Sequence, residues 1–192
     1  MIENIYITIF LIVFLMFLDF FLTIKSVKLA KQGFSKYIKV ESYELNPLFK
    51  ENVSKMQYSF KHFLLVILTS ATVCLFYYLG KNNFIFNMDT YSMFQGMIFS
   101  LFIFVNASHV RNLIVFSMIK KDSSLLSGKI KQKYLFSLKS SSADALKVFL
   151  ILITLFLFSP SYFNFGFAVG PLFLMLKARA WIKKYLKEKR KT

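Results

Sequence analysis

Apolar residues come in long runs along this chain, parted by shorter segments rich in lysine. Crossing about 30 Å of hydrocarbon at about 1.5 Å per residue takes roughly 20 residues, and the runs are measured against that length. The first, 5–24, is apolar apart from Thr8, Asp19 and Thr23, and the second, 60–79, carries Lys61 and His62 at its start. The third, 91–119, is longer than a span needs and holds "NASHVRN", so it tilts or projects from the membrane. The fourth, 145–159, is short unless Lys147 snorkels to the interface, and "SPSYFNF" turns the chain into the fifth, 162–180. The pattern predicts an all-α, polytopic integral membrane protein with about five transmembrane helices, a single membrane domain over 1–192.

Charge placement tests that count independently. Of 25 Lys and Arg, seven fall in 25–59, seven in 120–147 and eight in 177–191, whereas the loop 80–90 holds only Lys81. Under the positive-inside rule the basic segments 25–59, 120–144 and 181–192 face the cytoplasm, which puts the N-terminus outside and the C-terminus inside after five crossings. A single span or re-entrant hairpin over 145–180 would change the parity and set a basic loop opposite the basic tail. Within 124–140, "SLLSGKIKQKYLFSLKS" reads as a surface-lying amphipathic segment or a solvated topogenic loop, and the Ser-rich "LKSSSADAL" as a linker into the fourth span. The tail "KARAWIKKYLKEKRK" suits an interfacial anchor attracting anionic lipid, or a plain topology determinant.

Composition agrees. The chain is 56% hydrophobic and only 18% charged, and its 25 Phe exceed what the core of a soluble protein this size hides, so lipid replaces part of the core. A net charge of +16 raises nucleic acid as a partner, but the charges lie between spans rather than on one face, so the bilayer and its anionic lipids are the expected partners and nucleic acid is not. The lone Cys74 excludes an intramolecular disulfide and any CxxC site. "MIENIYITIF" lacks the positive n-region and cleavage site of a signal peptide, so the first run is expected to remain as a helix of a cell-membrane, multi-pass protein.

An ionisable group within a span costs roughly 2.5–3.5 kcal/mol, so each one needs a local reason. Asp19 and Thr23 stand one turn apart near the inner end of the first span, and Lys61 opens the second at a similar depth, which predicts an Asp19–Lys61 pair. In "ESYELNPLFK", Asn46 before Pro47 signals a helix start, with Glu44 just outside it where free N–H groups favour a carboxylate. Gly33 is placed to end the first helix. In the third span, Asn106, His109 and Asn112 recur at three-residue spacing while Arg111 points away, and His109 lies roughly 15 Å along the helix from Ile119, a depth matching Asp19. These residues predict a shared cytoplasmic-side polar pocket among the first three spans. The alternative is interhelical hydrogen bonding alone.

Asp19-x-x-x-Thr23, Gly33, Glu44-x-Asn46-Pro47-Leu48 and Phe60-Lys61 resemble the pattern of a family of small bacterial and archaeal membrane proteins known only as a domain of unknown function. The resemblance covers roughly residues 10–80, with a longer gap from Gly33 to Glu44 than the family's compact loop. It implies a linked polar constellation and no particular reaction.

Three functional classes fit. The leading one is a non-enzymatic membrane component whose pocket, drawn from Asp19, Thr23, Glu44, Asn46, Lys61, Asn106, His109, Arg111 and Asn112, binds a small anionic or lipid ligand or a partner helix. The second is a membrane-embedded hydrolase or transferase acting on a lipid or lipidated substrate, with Glu44 and His109 as acid/base candidates. The third is a small transporter. HExxH, GxSxG, paired glutamates and a Gly-rich phosphate loop are all missing, so no named reaction and no cofactor is indicated. A metal site would need His62, His109, Asp19 and Glu44 from separate segments, and none is expected. Gly166 and Gly170 in "GFAVGP" serve either packing within the chain or a homodimer.

Overall fold

The computed structural model describes the chain apart from residues 1–3, 33, 34, 36, 43, 47, 48, 58, 123, 125–127 and 190–192. It is all-helical save for two three-residue strands: α1 (Ile5–Gln32), β1 (Ile38–Val40), α2 (Lys50–Ser54), α3 (Phe60–Lys81), α4 (Met88–Lys121), β2 (Ile130–Gln132), α5 (Tyr134–Phe158) and α6 (Tyr162–Lys189). Five of these, α1, α3, α4, α5 and α6, are long and apolar enough to cross a membrane. The expected caps at Gly33 and Pro47 lie outside the described residues. Downstream of Pro47 stands the short α2, and the second apolar helix starts separately at Phe60.

Local signals set several helix starts. Asn4 Oδ1 accepts the N–H groups of Tyr6 and Ile7 at 2.9 and 3.3 Å, and Asn87 Oδ1 accepts that of Thr90 at 3.1 Å. Between α3 and α4, Asn83 adopts φ +49°, a conformation its short polar side chain tolerates.

Other boundaries depart from the sequence-based expectation. α1 and α4 run past their apolar stretches because their basic ends pack on each other: Ala30 clusters with Phe116 and Ile119, and Lys120 Nζ donates to Gln32 Oε1 at 2.8 Å. The segment 134–144, expected as surface loop and linker, is the first part of α5. Leu138, Ser142 and Ala145, at i, i+4 and i+7, form its buried face, and small residues there allow the close packing of α5 on α6. The N-terminus of α5 is capped from afar, because Glu41 Oε2 accepts the Tyr134 N–H at 2.8 Å. Just before it, β2 pairs in parallel with β1, Ile38 opposite Ile130. The tail beyond Ala180 continues α6 to Lys189, where Tyr185 meets Tyr134 edge-on at 5.6 Å. The Lys-rich helix ends thus meet at one end of the bundle, here called the basic end.

α4 is the central helix, packed against α1, α3 and α6, while α5 packs chiefly on α6. Ile12, Met16, Val66, Val73, Tyr91 and Phe99 form the main apolar cluster. Alongside them, Thr8, Ser92, Gln95, Ser100 and Asn106 are buried, whereas Phe10, Phe14, Leu64, Ile67, Leu68, Ile114, Leu150 and Leu155 are exposed. The interior is thus apolar with polar groups set among it, while many large apolar side chains lie on the surface.

At α4–α6, a Cβ added to Gly166 would fall on the Met93 carbonyl oxygen, and one added to Gly170 would fall on Ser100 Oγ. The small-residue face is therefore occupied by α4 of the same chain, and a second copy would need another surface. Across α1–α4, the fully buried Gln95 donates through Nε2 to Thr8 Oγ1 at 2.8 Å. A double-mutant cycle with Gln95→Leu and Thr8→Val is expected to give a coupling of about 1 kcal/mol, read from reversible unfolding in mixed micelles. A coupling near zero would remove this bond as a tie between the helices.

Candidate functional site

The site begins with two residues one turn apart on α1. Thr23 Oγ1 donates to the Asp19 backbone oxygen at 2.8 Å. His109 Nε2, from α4, lies 3.0 Å from Thr23 Oγ1. The direction of this hydrogen bond follows the imidazole tautomer, the hydroxyl being able to accept from Nε2–H or donate to a bare Nε2. The same Nε2 is 3.0 Å from Asp19 Oδ1. That carboxyl oxygen is buried and makes no aligned hydrogen bond among the described residues, so Nε2 stands close beside it but off a hydrogen-bond direction.

One turn before His109, Asn106 fastens α4 to α1. Its Nδ2 donates to the Leu15 and Phe102 carbonyls at 3.0 and 2.8 Å, while its Oδ1 is left without a partner among the described residues. A buried orphan acceptor is costly, so Asn106 Oδ1 marks this region as polar beyond what helix packing requires.

The third component comes from the loop after β1. The Ser42 hydroxyl donates to the Glu44 carbonyl at 2.7 Å, and the Asn46 N–H donates to Glu44 Oε1 at 2.6 Å. The loop is fixed at both ends, by Glu41 N–H to the Gln132 carbonyl at 3.1 Å and by the Tyr134 hydroxyl to the Leu45 carbonyl at 2.7 Å. Glu44 as a residue is partly exposed, but its carboxyl end is enclosed, and that burial pushes its pKa up to about 7. The Asn46 N–H opposes the rise, the Asp19 charge adds to it, and His109 opposes it. The Glu44 carboxyl is thus enclosed, and Asp19 and His109 are near enough to act on it electrostatically.

The structure brings Asp19, Thr23 and His109 into contact, with Asn106 one turn away on α4 and Glu44, held by the Asn46 N–H, within electrostatic reach. Three expected members stand elsewhere. Lys61 is exposed at the start of α3 and acts on Glu51, so the side chain that meets Asp19 is the His109 imidazole, at 3.0 Å, and not Lys61. The reason is helical geometry: successive residues diverge by about 100°, and His62 takes the inward position that Lys61 vacates. Arg111 is exposed, 3.5 Å from Asp144 on α5. Asn112 is partly buried but makes none of these bonds.

His62 is the residue the sequence undervalued. Its ring packs on Phe20 with centroids 4.8 Å apart and on Phe49 at 5.9 Å, and it lies within reach of the Asp19 charge. Its signal in the sequence was position alone, at the start of an apolar helix next to a lysine that took the attention. Among the described residues no three His, Cys, Asp or Glu side chains converge to hold a metal ion. What the cluster offers is two carboxyl groups, an imidazole and a hydroxyl, an arrangement suited to binding hydrogen-bond donors or positive charge and to moving protons. No family model matches the chain, and no curated protein or solved structure matches it.

Proposed function

We propose that this chain is a multi-pass protein of the cell membrane, N-terminus outside and basic end in the cytoplasm, whose inner polar pocket binds the polar end of a lipid-type ligand without transforming it. Five long apolar helices with outward apolar faces support the membrane reading, as do the Lys-rich ends gathered at one end of the bundle. The observation that carries the ligand reading is the Asp19–His109–Thr23 cluster, with Glu44 in electrostatic reach and the buried Asn106 Oδ1 without a partner among the described residues one turn away. Because Lys61 and Arg111 point outward, a free anion would meet two carboxyl groups and no fixed cation, so the ligand's polar end carries hydrogen-bond donors or positive charge. A partner helix fits less well, since these groups lie between helices already packed. A transport pathway fits less well too, since α5 packs chiefly on α6 and brings no group to the cluster.

Lipid that co-purifies with the protein in nanodiscs, identified by mass spectrometry, tests this. Asp19→Asn, His109→Ala and Glu44→Gln are each expected to reduce the recovered ligand about tenfold or more, the worth of one hydrogen bond to a charged group. If all three variants fold and keep the same bound species, the groups are structural and the pocket binds nothing. Glu44, with a pKa of about 7 beside His109, also supports a second reading, acid/base chemistry on a lipid substrate. That reading gains if a lipid product, rather than a bound lipid, disappears with Glu44→Gln and His109→Ala alone.

A further inference from the structure

Next to the polar cluster, α1 and the start of α3 enclose a groove of about 260 Å³ lined by Phe17, Phe20, Ser59, Phe60, His62 and Phe63. Its inner wall is buried, Phe20 and His62 being 8% and 9% exposed, while its rim is open, with Phe60 78% and Phe63 51% exposed. The rim therefore continues into the exposed apolar belt of the bundle. At the inner wall, His62 Nε2 is shielded from solvent and has no hydrogen-bond partner among the described residues. A buried imidazole nitrogen left unpaired against aromatic rings is a cost that an apolar side chain would avoid, so it calls for a partner brought from outside.

We infer that this groove seats the single apolar chain of a lipid-type ligand, with His62 Nε2 accepting a hydrogen bond from a hydroxyl where that chain meets its polar end. This rests on the ligand reading proposed above and names the class. The volume favours one extended chain: at roughly 30 Å³ for a water-sized group it holds about nine such groups, whereas one turn of a helix about 10 Å across needs roughly 400 Å³. The lining favours a hydroxyl over an ion, since among the described residues Ser59 and His62 are its polar side chains and neither carries a fixed charge. The position fits as well. His62 lies within reach of the Asp19 charge, so an oxygen at Nε2 leaves the rest of the ligand's polar end facing Asp19 and His109.

Two photoactivatable probes of equal length, a diazirine-bearing long-chain alcohol and the corresponding alkane, test this on the full chain in nanodiscs of phosphatidylethanolamine and phosphatidylglycerol. Crosslinked peptides are mapped by mass spectrometry. The alcohol is expected to label the peptides carrying Phe17, Phe60 and Phe63 about fivefold more than the alkane, the worth of one hydrogen bond. In His62→Leu the two probes are expected to label equally, while thermal unfolding shows that the variant still folds cooperatively. Equal labelling by the two probes in wild type overturns the inference whether or not the variant folds, and so does an alcohol preference that survives in folded His62→Leu. Asp19→Asn and Glu44→Gln separate the two levels of the argument. Loss of co-purified lipid in these variants, without any alcohol preference at the groove, keeps the pocket and removes the groove. An alcohol preference that persists beside unchanged lipid in these variants keeps the groove and removes the pocket.

Discussion

Gly166→Ala is expected to destabilise the bundle by about 3 kcal/mol, at the upper end of what overpacking costs, and Gly166→Leu by more. The reason lies in what the added atom meets. A Cβ at this position falls on the Met93 carbonyl, with the Met93 Cα and carbonyl carbon close behind. These are main-chain atoms in the middle of α4, so no rotamer change relieves the overlap, and the two helices have to move apart. Gly170 then loses its close approach to Ser100 and Met97 one turn further on. Because α4 also carries Asn106 and His109 and contacts α1, α3 and α6, a shift there is transmitted to the polar cluster. Reversible unfolding in mixed micelles measures the effect. Ala107→Leu, an enlargement on the exposed face of α4, is the control and is expected to stay within about 0.5 kcal/mol of wild type. If Gly166→Ala matches that control, α4 and α6 are not in backbone contact at this level.

The second large effect is a pH dependence carried by Glu44. Its pKa stands at about 7 in the folded loop against an ordinary 4.5, so between those values the folded state binds the extra proton. Stability rises with pH only where the unfolded state holds more protons; here the folded state does, so it falls as pH rises from about 4.5 to about 7 and levels off above. A rise of this size is worth about 3 kcal/mol at its limit, from roughly 1.4 kcal/mol per unit. The groups that act on the Glu44 carboxyl all belong to this account: burial first, then the Asn46 N–H, Asp19, His109 and the Leu45 N–H. Amide hydrogen exchange over residues 41–46, corrected for intrinsic rates, is the direct readout. Protection is expected to be greatest at pH 5 and to decline toward pH 8 in the wild type, and to be nearly flat in Glu44→Gln. Protection that rises with pH in the wild type, or persists in its pH dependence after Glu44→Gln, contradicts an enclosed Glu44 carboxyl.

The polar residues of the site differ in how visible they were. Asp19 and Thr23 stand out because a carboxylate within an apolar run has to be explained, and helical spacing alone puts them on one side. Asn106 and His109 follow by the same rule. Lys61 misled because its charge made it the natural partner for Asp19, whereas the choice between position 61 and position 62 depends on how α3 is rotated about its axis. Rotation is set by packing against α1 and α4, which no local pattern encodes. Arg111 is decided in the same way, by the presence of Asp144 on α5.

The helix ends tell a similar story at larger scale. Asn4 and Asn87 cap their own helices within three residues, and such starts are legible. The start of α5 is not, because its cap is Glu41, distant in sequence, and its neighbour is a strand pair of three residues on each side. A serine run reads as linker until α6 is present to bury Leu138, Ser142 and Ala145 on one face.

Sequence by itself determined the helical class, the number of long apolar helices and the places where polar groups interrupt them, because hydrocarbon length and the cost of buried charge act on any chain regardless of its neighbours. Only the tertiary structure decided which polar groups meet. Nε2 of His109 reaches Thr23 and lies beside Asp19, the Glu44 carboxyl is enclosed, and His62 rather than Lys61 faces the apolar groove. Those outcomes depend on helix rotation and on a loop anchored to a helix about ninety residues away, quantities fixed by long-range packing and therefore invisible to periodicity and spacing.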